Sequence, residues 1–242
     1  MFDLIRRAAC HPADYVGVMK KRNLTLLKVT REVGIVYTFV FKLDCEFDWL
    51  SGQHGVFNFP KFLGQGKSWR AFSIASAGFE KTIQISTMIS DSPSDFKKQL
   101  LSLKPGDKIN MHGPFGEFHL TKDIKHAVCI TGGIGITPFR SLIEDVVHRG
   151  LSDVKVDLLY GSNDGTYVYQ NELDSWQTNS NIKIHCLGQK EEVQDTLLRF
   201  VKEVGNEASY FISGAPIMVI QLRALLKANG IKNIINDPFK GF

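Results

Sequence analysis

The sequence predicts two domains, an antiparallel β-barrel followed by an α/β domain with a parallel sheet. Between residues 24 and 111, short strand-like runs are separated by turn residues, which is typical of a barrel or sandwich. From about residue 122 onward, strand-like runs alternate with helical patterns, which is typical of a parallel sheet flanked by helices. The length of 242 residues, with 43% hydrophobic and 22% charged residues, suits two globular domains.

The first part of the chain divides into an N-terminal arm and the barrel. Residues 1–22 fit no clear pattern, and we interpret them as an arm packed on the body or, alternatively, as a docking segment. The barrel is predicted over residues 23–121. Its helix, near residues 94–103, has hydrophobic residues at helical spacing and Ser94 as a candidate N-cap. The expected strands cover residues 24–29, 35–41, 55–59, 69–76, 82–86 and 108–111.

The α/β domain is predicted over residues 122–242. Because strands and helices alternate, we expect helices on both faces of the sheet and a ligand crevice at the carboxyl ends of the strands. The expected strands cover residues 126–131, 154–160, 182–187, 209–213 and 231–235. The expected helices cover residues 138–149, 169–177, 193–204 and 216–229.

A glycine-rich segment, called here the glycine turn (residues 131–138), joins the first strand and helix of this domain. Glycine lets the backbone approach a ligand, and the N–H groups that open a helix favour an anion. A diphosphate or dinucleotide site is therefore one interpretation, and a tight turn in some other α/β domain is the alternative. The spacing matches neither the G-x-G-x-x-G fingerprint nor the P-loop. Its candidate binding residues are Gly132, Gly133, Gly135, Thr137 and Pro138.

A second candidate segment is Arg70-Ala71-Phe72-Ser73 in the barrel. In a strand, Arg70 and Phe72 share one face and Ser73 takes the other. An anion-binding guanidinium beside a flat aromatic ring suits a nucleotide or a flavin. An ordinary strand with a surface arginine is the alternative.

Composition excludes several other classes of function. The net charge of +4 is mild, and no basic run indicates nucleic-acid binding. The four cysteines lie far apart without C-x-x-C spacing, and the histidines lack metal-ligand spacing, so we expect no metal site. Reduced thiols suit a cytoplasmic protein. No apolar run reaches the roughly 18 residues of a membrane span, and the first nine residues are too short for a signal peptide.

Taken in order, the motifs resemble those of the ferredoxin–NADP reductase superfamily, in a stand-alone two-domain form without an iron–sulfur domain. The resemblance covers roughly residues 24–242. It is carried by Gly52-Gln53, the Arg70 segment, Gly113-Pro-Phe-Gly-Glu-Phe118, the glycine turn, Leu159-Tyr-Gly-Ser162, Ser213-Gly-Ala-Pro-Ile-Met218 and Asp237-Pro-Phe-Lys-Gly-Phe242. The family combines a flavin-binding barrel with a nicotinamide-dinucleotide domain.

For the barrel, the resemblance implies a bound flavin. FAD is the usual cofactor, FMN occurs in some relatives, and we expect FAD. Arg70 would bind phosphate, Phe72 would stack on the ring system, and Ser73 would lie near flavin N5. The implied edge strand is Ser86-Thr87-Met88, and the implied pyrophosphate site consists of Ser94, Phe96 and Lys97.

For the α/β domain, the resemblance implies that the glycine turn binds the diphosphate of NADH or NADPH. Ser213 and Gly214 match the family's Cys-Gly-Pro turn, with Ser in place of Cys and Ala215-Pro216 where one proline is usual, and Ser213 would contact the nicotinamide. Two tail aromatics, Phe239 and Phe242, are candidates to cover the flavin. Phe239 matches the aromatic of an acidic-x-aromatic motif, and Phe242 would swing aside. Covering exposed core is the alternative for both.

The choice between NADH and NADPH depends on the segment after the second strand. Ser162 is present, but the arginine that holds a 2′-phosphate in NADPH-selective relatives is absent, and Asp164 would repel that phosphate. Lys190 can substitute for the arginine. We favour NADH.

The predicted function is therefore that of a flavoprotein reductase. It would transfer hydride from a nicotinamide dinucleotide to FAD, and then electrons to ferredoxin, flavodoxin, an oxygenase component or a small oxidant. The first alternative is a non-catalytic flavin-binding electron-transfer or regulatory subunit of a larger complex. The second is a dinucleotide-binding protein without flavin, against which the Arg70 segment argues.

Overall fold

The structure is a computed structural model that describes residues 20–188 and 190–237. Most of the predicted N-terminal arm and both candidate tail aromatics, Phe239 and Phe242, lie outside the described residues. The described chain forms a six-stranded and a five-stranded sheet. In the described part of the chain, no helix is long and apolar enough to cross a membrane.

The first sheet is antiparallel, with strand order β4-β3-β6-β1-β2-β5. Just beyond β4, the Ala75 amide donates to the Gln84 carbonyl of β5 over 2.7 Å, so the two edges of the sheet approach each other. This architecture confirms the predicted antiparallel first domain. Its strands are β1 (Lys21–Val33), β2 (Val36–Leu43), β3 (His54–Asn58), β4 (Trp69–Ser73), β5 (Thr82–Met88) and β6 (Lys108–Phe115).

The start of β1 differs from the prediction, which assigned residues 1–22 to an arm. Lys21 and Arg22 already pair with His112 and Met111 of β6. Lys21 and Arg22 do not continue the alternation of hydrophobic and polar residues that predicts a strand. Backbone hydrogen bonds between strands do not depend on that alternation. The hydrophobic pattern therefore predicts a later start for β1 than the structure shows. The predicted domain limits at residues 23 and 121 remain predictions.

The barrel core is apolar and includes its one described α-helix, α1 (Asp95–Ser102). Phe96 and Leu100 lie one helical turn apart and are both buried. Ser94 occupies the N-cap position, as predicted, but its side chain makes no capping hydrogen bond. The Phe96 ring lies 4.8 Å from the Phe59 ring, so the helix anchors itself in the barrel through aromatic contacts.

The second sheet is parallel, with strand order β11-β10-β7-β8-β9. This arrangement confirms the predicted α/β fold. Its strands are β7 (His126–Gly132), β8 (Lys155–Gly161), β9 (Ile182–Leu187), β10 (Ser209–Ser213) and β11 (Ile234–Asn236). Its helices are α2 (Thr137–His148), α3 (Gln170–Trp176), α4 (Lys190–Val204) and α5 (Pro216–Ala228).

Helices cover both faces of this sheet, as the alternating pattern predicts. On one face, Phe139 of α2 and Trp176 of α3 pack in a cluster with Leu158 of β8. On the other face, Leu197 of α4 and Leu222 of α5 pack with neighbouring strand residues. Because both faces are buried, the carboxyl edge of the sheet is the surface that remains for a ligand.

The two sheets are joined by a buried polar contact at the start of α2. The Arg140 guanidinium donates to the Ala75 carbonyl and to Glu80 of the barrel, each at 3.0 Å. One residue on, the Ser141 hydroxyl accepts the Gly52 amide at 2.6 Å. Gly52 has a φ of +95°, and a side chain there would overlap the Phe118 carbonyl. The helix that follows the glycine turn is therefore fixed directly to the barrel.

Candidate functional site

A cleft of about 950 Å³ lies between the two sheets, at the carboxyl ends of β7, β8 and β10. Residues of both domains line it, so the cleft has a barrel wall and an α/β wall. Of the predicted site residues, eight line the barrel wall: Arg70, Ala71, Phe72, Ser73, Ser86, Thr87, Met88 and Lys97. The α/β wall contains Gly132, Gly133, Gly135, Thr137, Pro138, Ser162, Ser213 and Gly214.

The barrel wall carries two cations that point to an anionic ligand. Arg70 donates from Nη1 to the Trp69 carbonyl at 2.8 Å, while its Nε atom is buried and has no hydrogen-bond partner among the described residues. Lys97 donates to the Met88 carbonyl at 2.8 Å. Burial, and secondly the charge of Arg70, lower the pKa of Lys97. A phosphate would satisfy the orphaned Nε atom and the two charges together.

Only part of the predicted pyrophosphate site reaches the cleft. Lys97 lines it, but Ser94 is solvent-exposed outside it, and Phe96 is 1% exposed within the aromatic core. Phe96 shares the buried helix face with Leu100, so the periodicity that predicts the helix also directs Phe96 inward. The partly buried Phe72 ring, 6.1 Å from Phe96, supplies the aromatic surface of the barrel wall.

The strand β5 lines the cleft with residues that differ in exposure. Thr87 is buried, whereas Met88 is 43% exposed at the rim. Ser86 is buried, and its hydroxyl is hydrogen-bonded to Thr38 of β2 at 2.6 Å and to the Tyr169 hydroxyl of the other domain. The prediction assigned the backbone of this strand to the flavin edge, and the side-chain bonds of Ser86 hold that backbone in place.

The glycine turn forms the α/β wall and leaves no room for side chains at its tightest point. A Cβ atom on Gly135 would lie 2.5 Å from the Ser213 carbonyl oxygen and 2.6 Å from the Gly214 Cα atom. Gly133 has a φ of +53°, a conformation that glycine adopts readily. Beside the turn, the Thr131 hydroxyl is buried without a hydrogen-bond partner among the described residues. A polar ligand group in this wall would satisfy it.

A carboxylate bridges the two walls. Asp237, immediately after β11, is buried and accepts hydrogen bonds from Ser73 at 3.0 Å and from Ser213 at 3.2 Å. These are the two predicted catalytic serines, one from each domain. The structure therefore brings Ser73 and Ser213 to a single carboxylate oxygen, Oδ2, at the cleft.

An acidic group lies in the segment after β8, which the sequence predicts to decide between NADH and NADPH. The Asp164 carboxylate accepts the Thr166 amide at 3.0 Å and the Ser162 hydroxyl at 2.9 Å. The bond from the Thr166 amide, followed by that from Ser162, lowers the pKa of Asp164. The carboxylate is therefore ionised at neutral pH, and Ser162 points its hydroxyl at it.

Among the residues at or beside the cleft that were not predicted site residues, four matter for its geometry: Thr131, Arg140, Tyr169 and Asp237. Thr131 opens the glycine turn and Asp237 is the acid of the acidic-x-aromatic motif, but neither motif predicts the surroundings that the structure shows for them. Arg140 and Tyr169 form hydrogen bonds with barrel residues that are 60 or more positions away in the sequence. Only the position of Asp237 directly after a strand in the parallel sheet could have indicated it, because such residues lie at the ligand edge.

Among the described residues, no group of His, Cys, Asp and Glu side chains has the geometry of a metal site. A buried carboxylate at the opposite, amino-terminal part of the parallel sheet, Asp157, instead pairs with His126 at 2.8 Å and with His185 at 3.1 Å. Burial opposes ionisation of Asp157, but these bonds and Lys155 lower its pKa. The cluster ties β7, β8 and β9 together, far from the cleft in the fold.

Comparison with known proteins agrees with this architecture. Residues 129–223 match the family model of the oxidoreductase NAD-binding domain. Over 199 residues, the chain is 29% identical to one component of the Na(+)-translocating NADH-quinone reductase of Actinobacillus pleuropneumoniae, covering 71% of this chain and 49% of the relative. It therefore spans about half the length of the curated relatives it matches.

Two solved structures illustrate the similarity of fold. The ferredoxin–NADP+ reductase from Plasmodium falciparum aligns with a TM-score of 0.76 at 20% identity, over 92% of this chain and 97% of that one. The FAD/NAD-binding domain of nitric oxide dioxygenase from Vibrio cholerae aligns with a TM-score of 0.76 at 19% identity, over 90% and 98%. The chain therefore has the two-domain fold of the ferredoxin–NADP+ reductase from Plasmodium falciparum and contains an oxidoreductase NAD-binding domain.

Proposed function

We propose that the chain is an NADH-dependent flavin oxidoreductase that passes electrons to a separate acceptor. The observation that carries this proposal is the shared carboxylate: Asp237 joins Ser73 of a cationic wall to Ser213 of a glycine-rich wall. Two anion-binding surfaces facing one cleft suit two phosphate-bearing ligands whose reactive groups meet between them.

The barrel wall suits a resident flavin, and we propose FAD. Arg70 and Lys97 would hold its phosphates, since both are cationic and Arg70 Nε lacks a partner among the described residues. Phe72 would stack on the ring system, and the Ser73 hydroxyl would lie near N5. The FAD/NAD-binding domain from Vibrio cholerae, named above, supports the choice of FAD through its shared fold.

The α/β wall suits the dinucleotide. The glycine turn would hold its diphosphate, because the turn lines the cleft and leads into α2, whose amino end favours an anion. NADH is favoured over NADPH because the ionised Asp164 would repel a 2′-phosphate and already engages Ser162. The similarity to a component of an NADH-quinone reductase, described above, supports the same choice.

The chemistry follows from alignment of the two ligands. A bound flavin would supply both the hydride acceptor for the reduced nicotinamide and the electron donor for the separate acceptor. The chain's own contribution is to hold both rings in register and to exclude water, and no protein acid or base is required for the hydride step. Asp237 would fix the orientation of the Ser73 and Ser213 hydroxyls, which flank the reacting groups.

The electron acceptor would be a ferredoxin, a flavodoxin, an oxygenase component or a small oxidant. A second candidate function is a flavin-binding subunit that works only inside a larger complex. It is favoured by the identity of the matched relative, which is a subunit of an NADH-quinone reductase. The cysteine usual at position 213 in the family is also replaced by serine.

The experiment is an anaerobic titration of the purified protein, monitored by its visible spectrum. A yellow protein that NADH bleaches within seconds, and NADPH at least about ten times more slowly, is the expected result. Bleaching by neither would favour the partner-dependent subunit. A colourless protein that cannot be reconstituted with FAD or FMN would overturn both proposals.

The assignment of Ser73 has its own test. Ser73→Ala removes the hydroxyl but keeps the strand, so the rate of flavin reduction should fall while flavin content is retained. Thr25→Ala is the matched control, because that hydroxyl bonds to Asp44 on the exposed side of the barrel. An unchanged reduction rate in Ser73→Ala would show that Ser73 does not act near N5.

A further inference from the structure

Tyr169 occupies an unusual position between the two domains. It lies directly before α3 with a φ of +65°, and it is 2% exposed. A bulky residue in the left-handed region is under backbone strain. Such strain persists where surrounding contacts fix the residue, and it is concentrated at functional sites. The contacts of Tyr169 must therefore stabilise this conformation.

The side chain of Tyr169 reaches the barrel wall of the cleft. Its hydroxyl is hydrogen-bonded to Ser86 of β5, and Ser86 is bonded in turn to Thr38 of β2 at 2.6 Å. The Arg140 guanidinium lies 5.6 Å from the centre of the Tyr169 ring. Burial raises the pKa of Tyr169, so the hydroxyl stays protonated and can donate. Ser86 itself lines the cleft, where the edge of a flavin is proposed to lie.

The backbone of Tyr169 is connected to the α/β wall. The preceding residue, Val168, donates its amide to the Tyr160 hydroxyl at 3.2 Å. That hydroxyl donates to the Gly133 carbonyl of the glycine turn at 2.8 Å. Between Tyr160 and Val168 lies the segment of Ser162 and Asp164, which lines the dinucleotide part of the cleft. A continuous path therefore runs from the glycine turn through residues 160–169 to β5.

We propose that Tyr169 is a positioning residue that couples dinucleotide binding at the glycine turn to the strand β5 at the flavin edge. This inference rests on the proposed function. A dinucleotide that orders the glycine turn and residues 162–166 restrains the backbone at Val168, and the Tyr169 hydroxyl transfers that restraint to Ser86. The result is that β5 becomes more rigid when the dinucleotide is bound.

The test is amide hydrogen exchange of the flavin-loaded protein with and without saturating NAD⁺, which binds without reducing the flavin. Since β5 is an edge strand, part of its amides exchange measurably. NAD⁺ should slow exchange across Thr82–Met88 at least about threefold in the unaltered protein. In Tyr169→Phe, this slowing should be lost, while the Kd for NAD⁺, measured by calorimetry, changes by less than about threefold.

Tyr167→Phe is the matched control. It removes a tyrosine hydroxyl from the same segment, but that hydroxyl donates to Leu187 of β9 rather than to the barrel. The control should keep the NAD⁺-dependent slowing in β5. A hydroxyl that merely stabilises the fold would change exchange equally with and without NAD⁺, so the difference between the two states isolates the coupling.

Two results would overturn the inference: full slowing of β5 exchange in Tyr169→Phe, or no slowing by NAD⁺ in the unaltered protein that binds it. If Tyr169→Phe does not fold, Ser86→Ala removes the same hydrogen bond from the barrel side and must abolish the slowing. Because the measurement needs no turnover, its failure is distinct from failure of the proposed function, which would appear as absence of bleaching by NADH.

Discussion

The two walls of the cleft bind with different chemistry. The barrel wall uses side-chain cations, Arg70 and Lys97, and an aromatic ring, Phe72. The α/β wall uses a glycine backbone, and its charged lining residues, which are of both signs, are Asp164, Lys190 and Asp237. Charge-assisted hydrogen bonds contribute about 1.5 to 3 kcal/mol each, whereas the amino end of a helix contributes about 0.3 to 1 kcal/mol to anion binding.

Under the proposed function, this difference predicts how long each ligand stays bound. A wall built from cations and stacking retains its ligand, as a resident cofactor requires. A wall whose anion contacts come mainly from backbone amides is expected to bind more weakly and to release its ligand after each turnover. The comparison can be tested by removing the defining feature of each wall in turn.

The largest effect is expected at the barrel wall. Arg70→Ala removes both the guanidinium charge and the orphaned Nε donor, so flavin affinity should fall about 100-fold, corresponding to about 2.7 kcal/mol. Flavin released on ultrafiltration measures this. Lys98→Ala is the control, because Lys98 is exposed and pairs with Asp95. Unchanged flavin retention in Arg70→Ala would contradict the claim that the barrel wall holds its ligand through side-chain cations.

The next effect is expected at the glycine turn. Gly135→Ala forces a Cβ atom against the Ser213 carbonyl and Gly214, and overpacking of this kind costs about 2 kcal/mol. The Kd for NADH should rise about 30-fold while flavin content is unchanged. Gly230→Ala is the control: its φ of +78° is unfavourable for alanine, but no atom lies within 4 Å. Equal NADH binding by both variants would contradict the close contact.

A smaller effect is expected at the carboxylate of the α/β wall. Asp164→Asn keeps the shape and an acceptor oxygen but removes the charge, so kcat/KM for NADPH should rise about 10-fold relative to NADH. Steady-state kinetics with both dinucleotides measure the ratio. Asp174→Asn, an exposed carboxylate on α3, should leave the ratio unchanged. A constant ratio in Asp164→Asn would show that this carboxylate does not select the dinucleotide.

The smallest effect at neutral pH concerns acid stability of the barrel. Burial lowers the pKa of His54, which pairs with Ser73 across the sheet, from 6.5 to about 3. The unfolded chain therefore binds a proton that the folded chain does not, and the free energy of unfolding falls as pH drops from 6.5 toward 3. The slope from this group approaches about 1.4 kcal/mol per pH unit.

Urea unfolding at about pH 7 and about pH 5 measures this dependence. His54→Gln should flatten it, whereas His148→Gln, at an exposed position, should not. A pH dependence that is identical in His54→Gln and in the unaltered protein would show that His54 is not the group that carries it.

Much of the fold could be predicted because its signals are local. The run from β7 through the glycine turn to α2 combines an apolar strand, glycines and helical spacing within about two dozen residues, and the structure has strand and helix bounds within one residue of the prediction at each end. The strand β11 was placed three residues too early at its start, since Ile231 is buried before the strand begins.

The site was only partly predictable because its decisive contacts join distant residues. Ser73 and Asp237 are 164 positions apart, and Ser86 and Tyr169 are 83 apart. No periodicity encodes such pairs. Phe96 is the opposite case, since the spacing to Leu100 already indicated the core and the motif alone suggested a ligand contact.

The hydrogen bonds of Asp237 also bear on how such proteins can be recombined. The acceptor for the Ser73 hydroxyl of the barrel is supplied from the end of the other domain. Arg140 of the α/β domain likewise donates to both carboxylate oxygens of Glu80 in the barrel, so this pair also crosses the junction. A chimaera that exchanges one domain for a relative's would keep two intact sheets yet separate these partners. The site therefore depends on a matched set of residues from both domains. A domain exchange preserves the site only if both partners of each pair are transferred together.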